Sequence, residues 1–289
     1  MDKTNDLACA WLMTGEAINR LEVLQALLRA PLRVTGGRLQ EFPPGSRTPD
    51  EVIVTHRFLI LLQGDIDYTV EGRTHRLEAG VQFFVPAWCR REWTVPRRSG
   101  ACRLLWCEFS SGEVALPAVL CRRRLGPKGR ERTAFEHICA LGKRTDDRAA
   151  ALEQEGELKA CLARFWTEAR VEDAVQQRAL VTHPEVARAT AWLERHFAET
   201  DALEVFYRTV TLSPNHFRVL FKRQTGETVQ AVLARLRLRR ARYLVRETAM
   251  PMKRIAVETG HADPLYFSSQ YRKFWGRPAT EDRAGGGLA

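Results

Sequence analysis

The stretch IAVETGHADPLYFSSQYRKFWGRP, Ile255 to Pro278, reads as two short helices around a turn. Ile255, Ala256 and Thr259 put small and apolar residues on one face of the first helix. Gly260 can end it, because glycine enters the left-handed conformation without a Cβ penalty. Asp263 is a good N-cap, and Pro264 stands where the first helical residue of the next helix belongs. Leu265, Phe267, Tyr271, Phe274 and Trp275 supply an apolar stripe, and Ser268, Ser269, Gln270, Arg272 and Lys273 a polar face. Gly276 stops the second helix and Pro278 forbids its resumption. His261, after the turn, is expected to be a partly buried packing residue with no partner nearby.

Fifty residues earlier the pattern recurs. SPNHFRVLFKRQTGET from Ser213 matches DPLYFSSQYRKFWGRP from Asp263, pairing Pro214 with Pro264, Phe217 with Phe267, Phe221 with Tyr271, Lys222 with Arg272, Arg223 with Lys273 and Gly226 with Gly276. One copy fits an ordinary helical hairpin; two in register point to a duplicated helix-turn-helix, a motif that places its second helix in a DNA groove. Between them, Val229 to Ala249 has an apolar stripe (Val232, Leu233, Leu236, Leu244, Val245) suited to a rod-like helix. Several of its arginines 235, 237, 239, 240 and 242 are expected on a solvated face.

These residues resemble the DNA-binding region of the AraC/XylS family of bacterial transcription regulators. The family's second-unit pattern stands at Ile255, Ala256, Glu258, Gly260, Asp263, Tyr266, Phe267, Tyr271, Arg272, Lys273, Gly276 and Pro278. The resemblance implies two helix-turn-helix units joined by a long helix, each placing its second helix in successive major-groove segments. The first unit departs from the pattern: Tyr207 stands where the family usually has alanine, and Thr211 where it usually has the turn glycine. A threonine at positive φ would be strained. His261 replaces a usual phenylalanine.

The 289 residues allow two domains. Net charge is +10, and it is uneven: residues 184–289 hold 18 Lys+Arg against 11 Asp+Glu, +7, leaving +3 for the rest. That asymmetry suits a phosphate-facing surface. The seven cysteines, 9, 89, 102, 107, 121, 139 and 161, show no C-x-x-C and no zinc spacing; thiols in a reducing cytoplasm are expected. The N-terminus lacks the charge and apolar run of a signal peptide, and no stretch reaches the length of a membrane span.

From Leu32 the hydrophobic period becomes two. The stretches 32–42, 52–64, 65–80, 81–89, 91–96 and 102–110 read as short antiparallel strands, with a hairpin near Gly72. Strands this close suggest a small barrel or jelly roll. The layout is similar to the cupin-like sensory domains that precede AraC-type DNA-binding regions, with LEAGVQFFVPAWCRREW (residues 77–93) the most cupin-like piece. The metal-holding histidine cluster of cupin enzymes is missing: His56 is followed by Arg57 and Phe58, and His75 stands alone. A pocket for a small ligand remains, with His56, Arg57, Trp88, Arg91, Trp93 and Trp106 as candidate lining. Residues 121–132, CRRRLGPKGRER, read as a basic loop. Two helical patterns follow, carrying Phe135, Ile138 and Leu141, then Leu152, Leu158, Leu162, Phe165 and Trp166. They suit a dimer interface or packing on the barrel equally.

The expected fold is therefore a mainly-β cupin-like barrel or jelly roll followed by helices, then an all-α region with two helix-turn-helix units joined by a long helix. Expected boundaries are 1–30 (helical arm), 31–116 (barrel), 117–183 (helical dimerisation segment and linker, helical in much of 171–183), 184–283 (DNA-binding domain) and 284–289 (disordered tail). Candidate DNA contacts are Pro214, Asn215, His216, Arg218, Lys222 and Arg223 in the first unit, and Pro264, Leu265, Ser268, Ser269, Arg272 and Lys273 in the second. Asn suits adenine, Arg suits guanine and Leu a thymine methyl; the Lys/Arg pairs suit phosphates. The expected protein is a cytoplasmic, sequence-specific regulator with no catalytic or metal site and no cofactor. Its expected partners are double-stranded DNA, a small effector, a second copy and, for an activator, RNA polymerase. Two alternatives stay open: a cupin enzyme fused to a DNA reader, and a protein-interaction module whose first unit has lost DNA binding.

Overall fold

The computed structural model describes residues 20–48, 51–112, 114, 116, 119–125, 129–144, 147–174 and 184–284. The chain forms two compact units, residues 1–179 and 180–289.

In the first unit, helix α1 (Arg20–Arg29) precedes nine strands: β1 (Arg33–Phe42), β2 (Glu51–Ile53), β3 (His56–Gln63), β4 (Asp65–Val70), β5 (Arg73–Glu78), β6 (Val81–Val85), β7 (Cys89–Thr94), β8 (Cys102–Ser110) and β9 (Val119–Arg124). Helices α2 (Arg130–Leu141) and α3 (Arg148–Glu168) and strand β10 (Arg170–Ala174) complete it. One sheet has the order β1-β8-β3-β6-β9-β10, the other β2-β7-β4-β5. The hairpin between β4 and β5 turns on Glu71 and Gly72, both at positive φ (48° and 79°), as a two-residue turn requires to match strand twist.

The larger sheet is apolar on both faces, because each covers a different core. Leu59, Leu61, Phe83, Val85, Cys102 and Leu104 face the smaller sheet's Ile66, Tyr68, Val70, Leu77 and Trp93. Phe58, Ile60, Phe84, Leu105, Cys107 and Phe109 point the other way, onto Val23 and Leu27 of α1, Phe135 and Ile138 of α2, and Leu158, Leu162, Phe165 and Trp166 of α3. The apolar stripes of α2 and α3 are thus spent on the barrel, except for Leu152, expected in the α3 stripe but 72% exposed. Two readings of the sequence are corrected. Residues 119–124 are not loop but a strand antiparallel to β6, and residues 170–174 pair with β9 rather than being helical. The arginine run hid the strand: Cys121 and Arg123 share the buried helix-facing side, where Arg123 bonds the Arg164 carbonyl and Glu131. The expected arm before residue 20 and the expected tail from residue 285 lie outside the described residues, as do residues 175–183 of the expected linker.

The second unit is all helical: α4 (Pro184–His196), α5 (Ala202–Thr209), α6 (Pro214–Thr225), α7 (Val229–Glu247), α8 (Met252–Glu258), α9 (Pro264–Trp275) and α10 (Ala279–Ala284). The in-register repeats become the paired helices α6 and α9. Each starts with proline in its first turn and ends on glycine in the left-handed region, Gly226 at φ 79° and Gly276 at φ 74°. Phe217 and Phe221 are buried in the first repeat, Phe267 and Tyr271 in the second. Helix α10 was not foreseen; it begins directly after Pro278, a residue read only as a stop.

Gly260 ends the first helix of the second unit at φ 75°, and a Cβ there would lie 2.8 Å from the Phe197 carbonyl oxygen and 2.9 Å from that of Ala198. At Gly276 a Cβ would meet nothing within 4 Å. Gly276→Ala is therefore expected to cost about 1 kcal/mol, the left-handed backbone penalty alone. Gly260→Ala adds a collision with backbone and should cost about 2–4 kcal/mol. Calorimetric unfolding of the C-terminal unit in the full chain measures both; equal costs would count against the close approach.

Candidate nucleic-acid interface and barrel interior

Helices α6 and α9 hold their polar faces outward because their aromatic faces are buried. Asn215, His216, Arg218, Lys222 and Arg223 are exposed on α6, as is Pro214 at its start. Leu265, Ser268, Ser269, Arg272 and Lys273 are exposed on α9, with Pro264 half-buried. The Asp263 carboxylate caps α9 by accepting the Leu265 N–H at 2.8 Å. Leu265 is 81% exposed. It and the 40%-exposed Phe274 leave the expected apolar stripe; Phe267 and Tyr271, with half-buried Trp275, carry the packing. The Ser268 hydroxyl donates to the Pro264 carbonyl at 2.9 Å, so toward a ligand it is an acceptor.

The two departures in the first unit are accommodated. Phe206, not Tyr207, fills the core, packing on Trp192 and Phe217. Tyr207 is half-buried beside α6. Its hydroxyl accepts from Arg218 Nε at 3.4 Å, and the Arg218 guanidinium carbon lies 5.2 Å from its ring centre. The strain expected at Thr211 is absent. Among the described residues the non-glycine positive-φ positions are Glu71 and Trp88. The first turn instead passes through extended Val210 (φ −79°, ψ 130°), and the Thr211 hydroxyl donates to Glu185 at 2.9 Å.

The arginines of α7 correct the solvated-face reading. Arg235 is 5% exposed and bonds Glu227 at 2.6 Å. Arg237 donates to the carbonyls of Phe197 (2.7 Å) and Glu199 (2.6 Å). Arg242 and Arg246 meet Asp282 at 2.8 and 2.9 Å. Asp282, fully buried, also accepts the Tyr271 hydroxyl at 2.8 Å. Burial alone would raise its carboxyl pKa. The hydrogen bonds from Arg242 and Tyr271 and the charges of Arg242 and Arg246 outweigh that and hold it below the usual range. No sequence signal marked Asp282, because its importance depends on α10.

His261 is buried, contrary to the expectation of a residue without a partner: its Nδ1 lies 3.0 Å from the Thr259 hydroxyl and its ring meets Phe267 edge-on at 5.2 Å. Burial, then the nearby Arg237 charge, lowers its pKa to about 4.

In the barrel, alternation separates the candidate ligand residues. Arg57, two residues before Leu59, faces the interior, opposite Glu108 across β3 and β8. Arg91 shares its face with Cys89 and Trp93 on β7. Glu108 takes Arg57 at 2.6 Å and Arg91 at 3.4 Å, and the Arg57 guanidinium lies 4.7 Å from the Trp106 ring centre. The structure thus brings Arg57 and Arg91 onto a carboxylate that the sequence reading missed, with Trp106 against Arg57 and Trp93 on the same face of β7 as Arg91. His56 is the correction. It faces the helices, stacked on Phe84 and Phe109, with the Ala87 N–H donating to its Nδ1 at 3.0 Å. Burial, then Arg91, lowers its pKa to about 3. Trp88 sits half-buried in the turn before β7 at φ 62°, outside the apolar cluster that Trp93 and Trp106 join.

Among the described residues no group of three His, Cys, Asp or Glu is placed to hold a metal. The six described cysteines are buried and form no disulfide. Burial pushes the thiols of Cys89, Cys102 and Cys161 up to about 12, 11 and 11, far from the thiolate that redox chemistry needs.

The helix-turn-helix domain family matches residues 207–285, and the cupin domain family matches residues 38–108. The HTH-type transcriptional activator RhaS of Escherichia fergusonii is 39% identical over 95 residues, 33% of this chain and 34% of that protein. RhaS of an Enterobacter species is 38% identical, also over 95 residues, 33% of this chain and 34% of that protein. The crystal structure of ToxT from Vibrio cholerae O395 bound to a small organic acid aligns over 82% of this chain and 93% of that one, with TM-score 0.54 and 8% identity. The chain is thus similar to AraC-type transcription regulators, with a helix-turn-helix domain at residues 207–285 and a cupin domain at residues 38–108. It spans about a third of the length of the curated relatives it matches, and the likeness to ToxT shows that the two-domain fold is shared.

His56 and His261 give each unit an acid-sensitive core. Both are neutral when folded, with pKa below the ordinary value near 6.5. Between that value and the folded pKa the unfolded chain binds more protons, so stability falls as pH drops from about 7 toward 4. His261→Phe, which keeps a ring against Phe267, is expected to flatten this decline in the C-terminal unit while the N-terminal unit keeps its own. Thermal unfolding between pH 7 and 4 checks it; an unchanged slope in the variant would refute the assignment to His261.

Proposed function

We propose that this chain is a sequence-specific DNA-binding transcription regulator controlled by a small effector in its barrel. The observation that carries the reading is the duplication: two second helices, α6 and α9, each capped, each buried by its aromatics and each presenting polar and basic residues outward. A motif of this kind lays its second helix in the major groove with early positions at base edges. Asn215, His216 and Arg218, and Leu265, Ser268 and Ser269, are assigned to base edges. Lys222, Arg223, Arg272 and Lys273 are assigned to phosphates. Curated proteins that match 95 residues of this chain are named as transcriptional activators.

For the barrel, the Arg57–Glu108–Arg91 cluster with Trp93 and Trp106 is assigned as the effector-facing surface. Its ability to act rests on binding the DNA-competent and incompetent arrangements differently. The ToxT structure carries (E)-4-(8-methylnaphthalen-1-yl)but-3-enoic acid, which supports ligand binding by a protein of this fold. We read the chain as a non-enzyme acting in the cytoplasm; no described helix is long and apolar enough to cross a membrane. A homodimer would use the outward faces of α2 and α3, since their apolar faces are committed to the barrel. RNA polymerase is the further partner if the regulator activates.

The test is fluorescence anisotropy of the full chain on duplex from upstream of its own gene, with random duplex as competitor, over a salt series. Tight binding to one segment that weakens steeply with salt supports the reading; equal, weak binding to all duplexes refutes it. Within that assay Arg218→Ala should lose roughly 1–3 kcal/mol of discrimination at one base step. Lys222→Ala should weaken all duplexes alike and lower the salt slope by about 1. A uniform loss for Arg218→Ala would reassign it to a phosphate.

A further inference from the structure

The Tyr207–Arg218 contact is not needed to build the first unit. The core position of α5 belongs to Phe206, 1% exposed and packed on Phe217. Arg218 is exposed and its neighbours on α6, Asn215 and Lys222, are exposed with it. An arginine on an exposed helix face ordinarily samples many rotamers, and fixing one costs up to about 2 kcal/mol. Here one guanidinium edge is engaged twice by the same side chain, ring below at 5.2 Å and hydroxyl on Nε at 3.4 Å. The bond uses Nε. The two Nη groups remain the pair that guanine O6 and N7 accept in a bidentate contact.

From this geometry we infer that Tyr207 is a specificity-determining positioning residue, which holds Arg218 ready to read a guanine in the major groove. The inference rests on the DNA-reading function proposed above and deepens it. Tyr207 need not touch DNA. It removes part of the rotamer cost that Arg218 would otherwise meet on binding, and it does so only for sequences that Arg218 recognises. A tyrosine that merely packed α5 would affect folding and leave the sequence preference alone. One that bound phosphate directly would affect all sequences alike and change the salt slope.

The experiment is in vitro selection from random duplex with the full chain, comparing the natural protein with Tyr207→Ala, Tyr207→Phe, Arg218→Ala and the Tyr207→Ala/Arg218→Ala double variant. Competition binding on the selected sequence at two salt concentrations follows. Arg218→Ala is expected to lose preference for guanine at one position. Tyr207→Ala is expected to weaken the same preference by about two- to fivefold, the worth of an exposed cation–π contact, with the salt slope unchanged. Tyr207→Phe, which keeps the ring, should retain most of the preference, and the double variant should be no worse than Arg218→Ala alone. The inference is overturned if Tyr207→Ala selects the natural motif with undiminished guanine preference, or loses affinity equally on all duplexes, or adds its full effect in the absence of Arg218. Should the natural protein select no motif at all, the DNA-reading function itself fails, an outcome distinct from a natural motif that ignores Tyr207.

Discussion

The second unit depends on one close approach. Gly260 has no Cβ, so the end of α8 can lie against the carbonyls of Phe197 and Ala198 just past α4, and Arg237 from the middle of α7 donates to the carbonyls of Phe197 and Glu199. Three segments meet there: the end of α4, which packs with the first helix-turn-helix, the connecting helix α7, and α8 of the second unit. Those carbonyls would otherwise be orphan acceptors near a helix terminus. One arginine satisfies them and ties α4 to α7, while the missing methyl brings α8 to the same point. The separation of α6 and α9, and hence any match to successive groove segments, follows from this junction. Asp282 does the same at the other end, drawing Arg242 and Arg246 of α7 and Tyr271 of α9 onto α10.

This explains why α7 carries so many arginines. Charge alone suggested a surface in contact with water or phosphate. Arg235, Arg237, Arg242 and Arg246 instead spend their donors on the protein, on Glu227, on backbone carbonyls and on Asp282. The net positive charge of the C-terminal region therefore overstates what is offered to DNA. The outward basic groups that remain on α6 and α9 are Lys222, Arg223, Arg272 and Lys273, with Arg218 turned toward Tyr207.

The helix-turn-helix region was legible because its signals are local. A cap, a first-turn proline, an aromatic at the fourth position and a terminal glycine each act within one helix, and they recur in register. The strands from residue 32 to 110 were legible from period two. Illegible were features fixed by long-range pairing. Strand β9 is disguised by three arginines, β10 exists only through β9, and Glu108 and Asp282 matter only because residues far along the chain converge on them. Alternation could not say which strand face looked inward, so His56 and Arg57 stood as equal candidates for the pocket. Packing separates them: the ring stacks on Phe84 and Phe109 under the helices, and the guanidinium reaches Glu108 inside.

The case for a first unit spoiled for DNA binding rested on two residues, and each has a local solution. A glycine in a helix-turn-helix turn is required only when the backbone passes through positive φ with another segment pressed against it, as Gly260 does. The first turn takes an extended route through Val210, so Thr211 meets no such demand, and its hydroxyl joins the turn to α4 through Glu185. Tyr207 is large, but size is costly only in the core, and Phe206 occupies the core. What Tyr207 adds lies at the edge of α6, beside the arginine best suited to a guanine. A departure that leaves the fold intact and changes the setting of one exposed side chain bears on what the unit reads, not on whether it can.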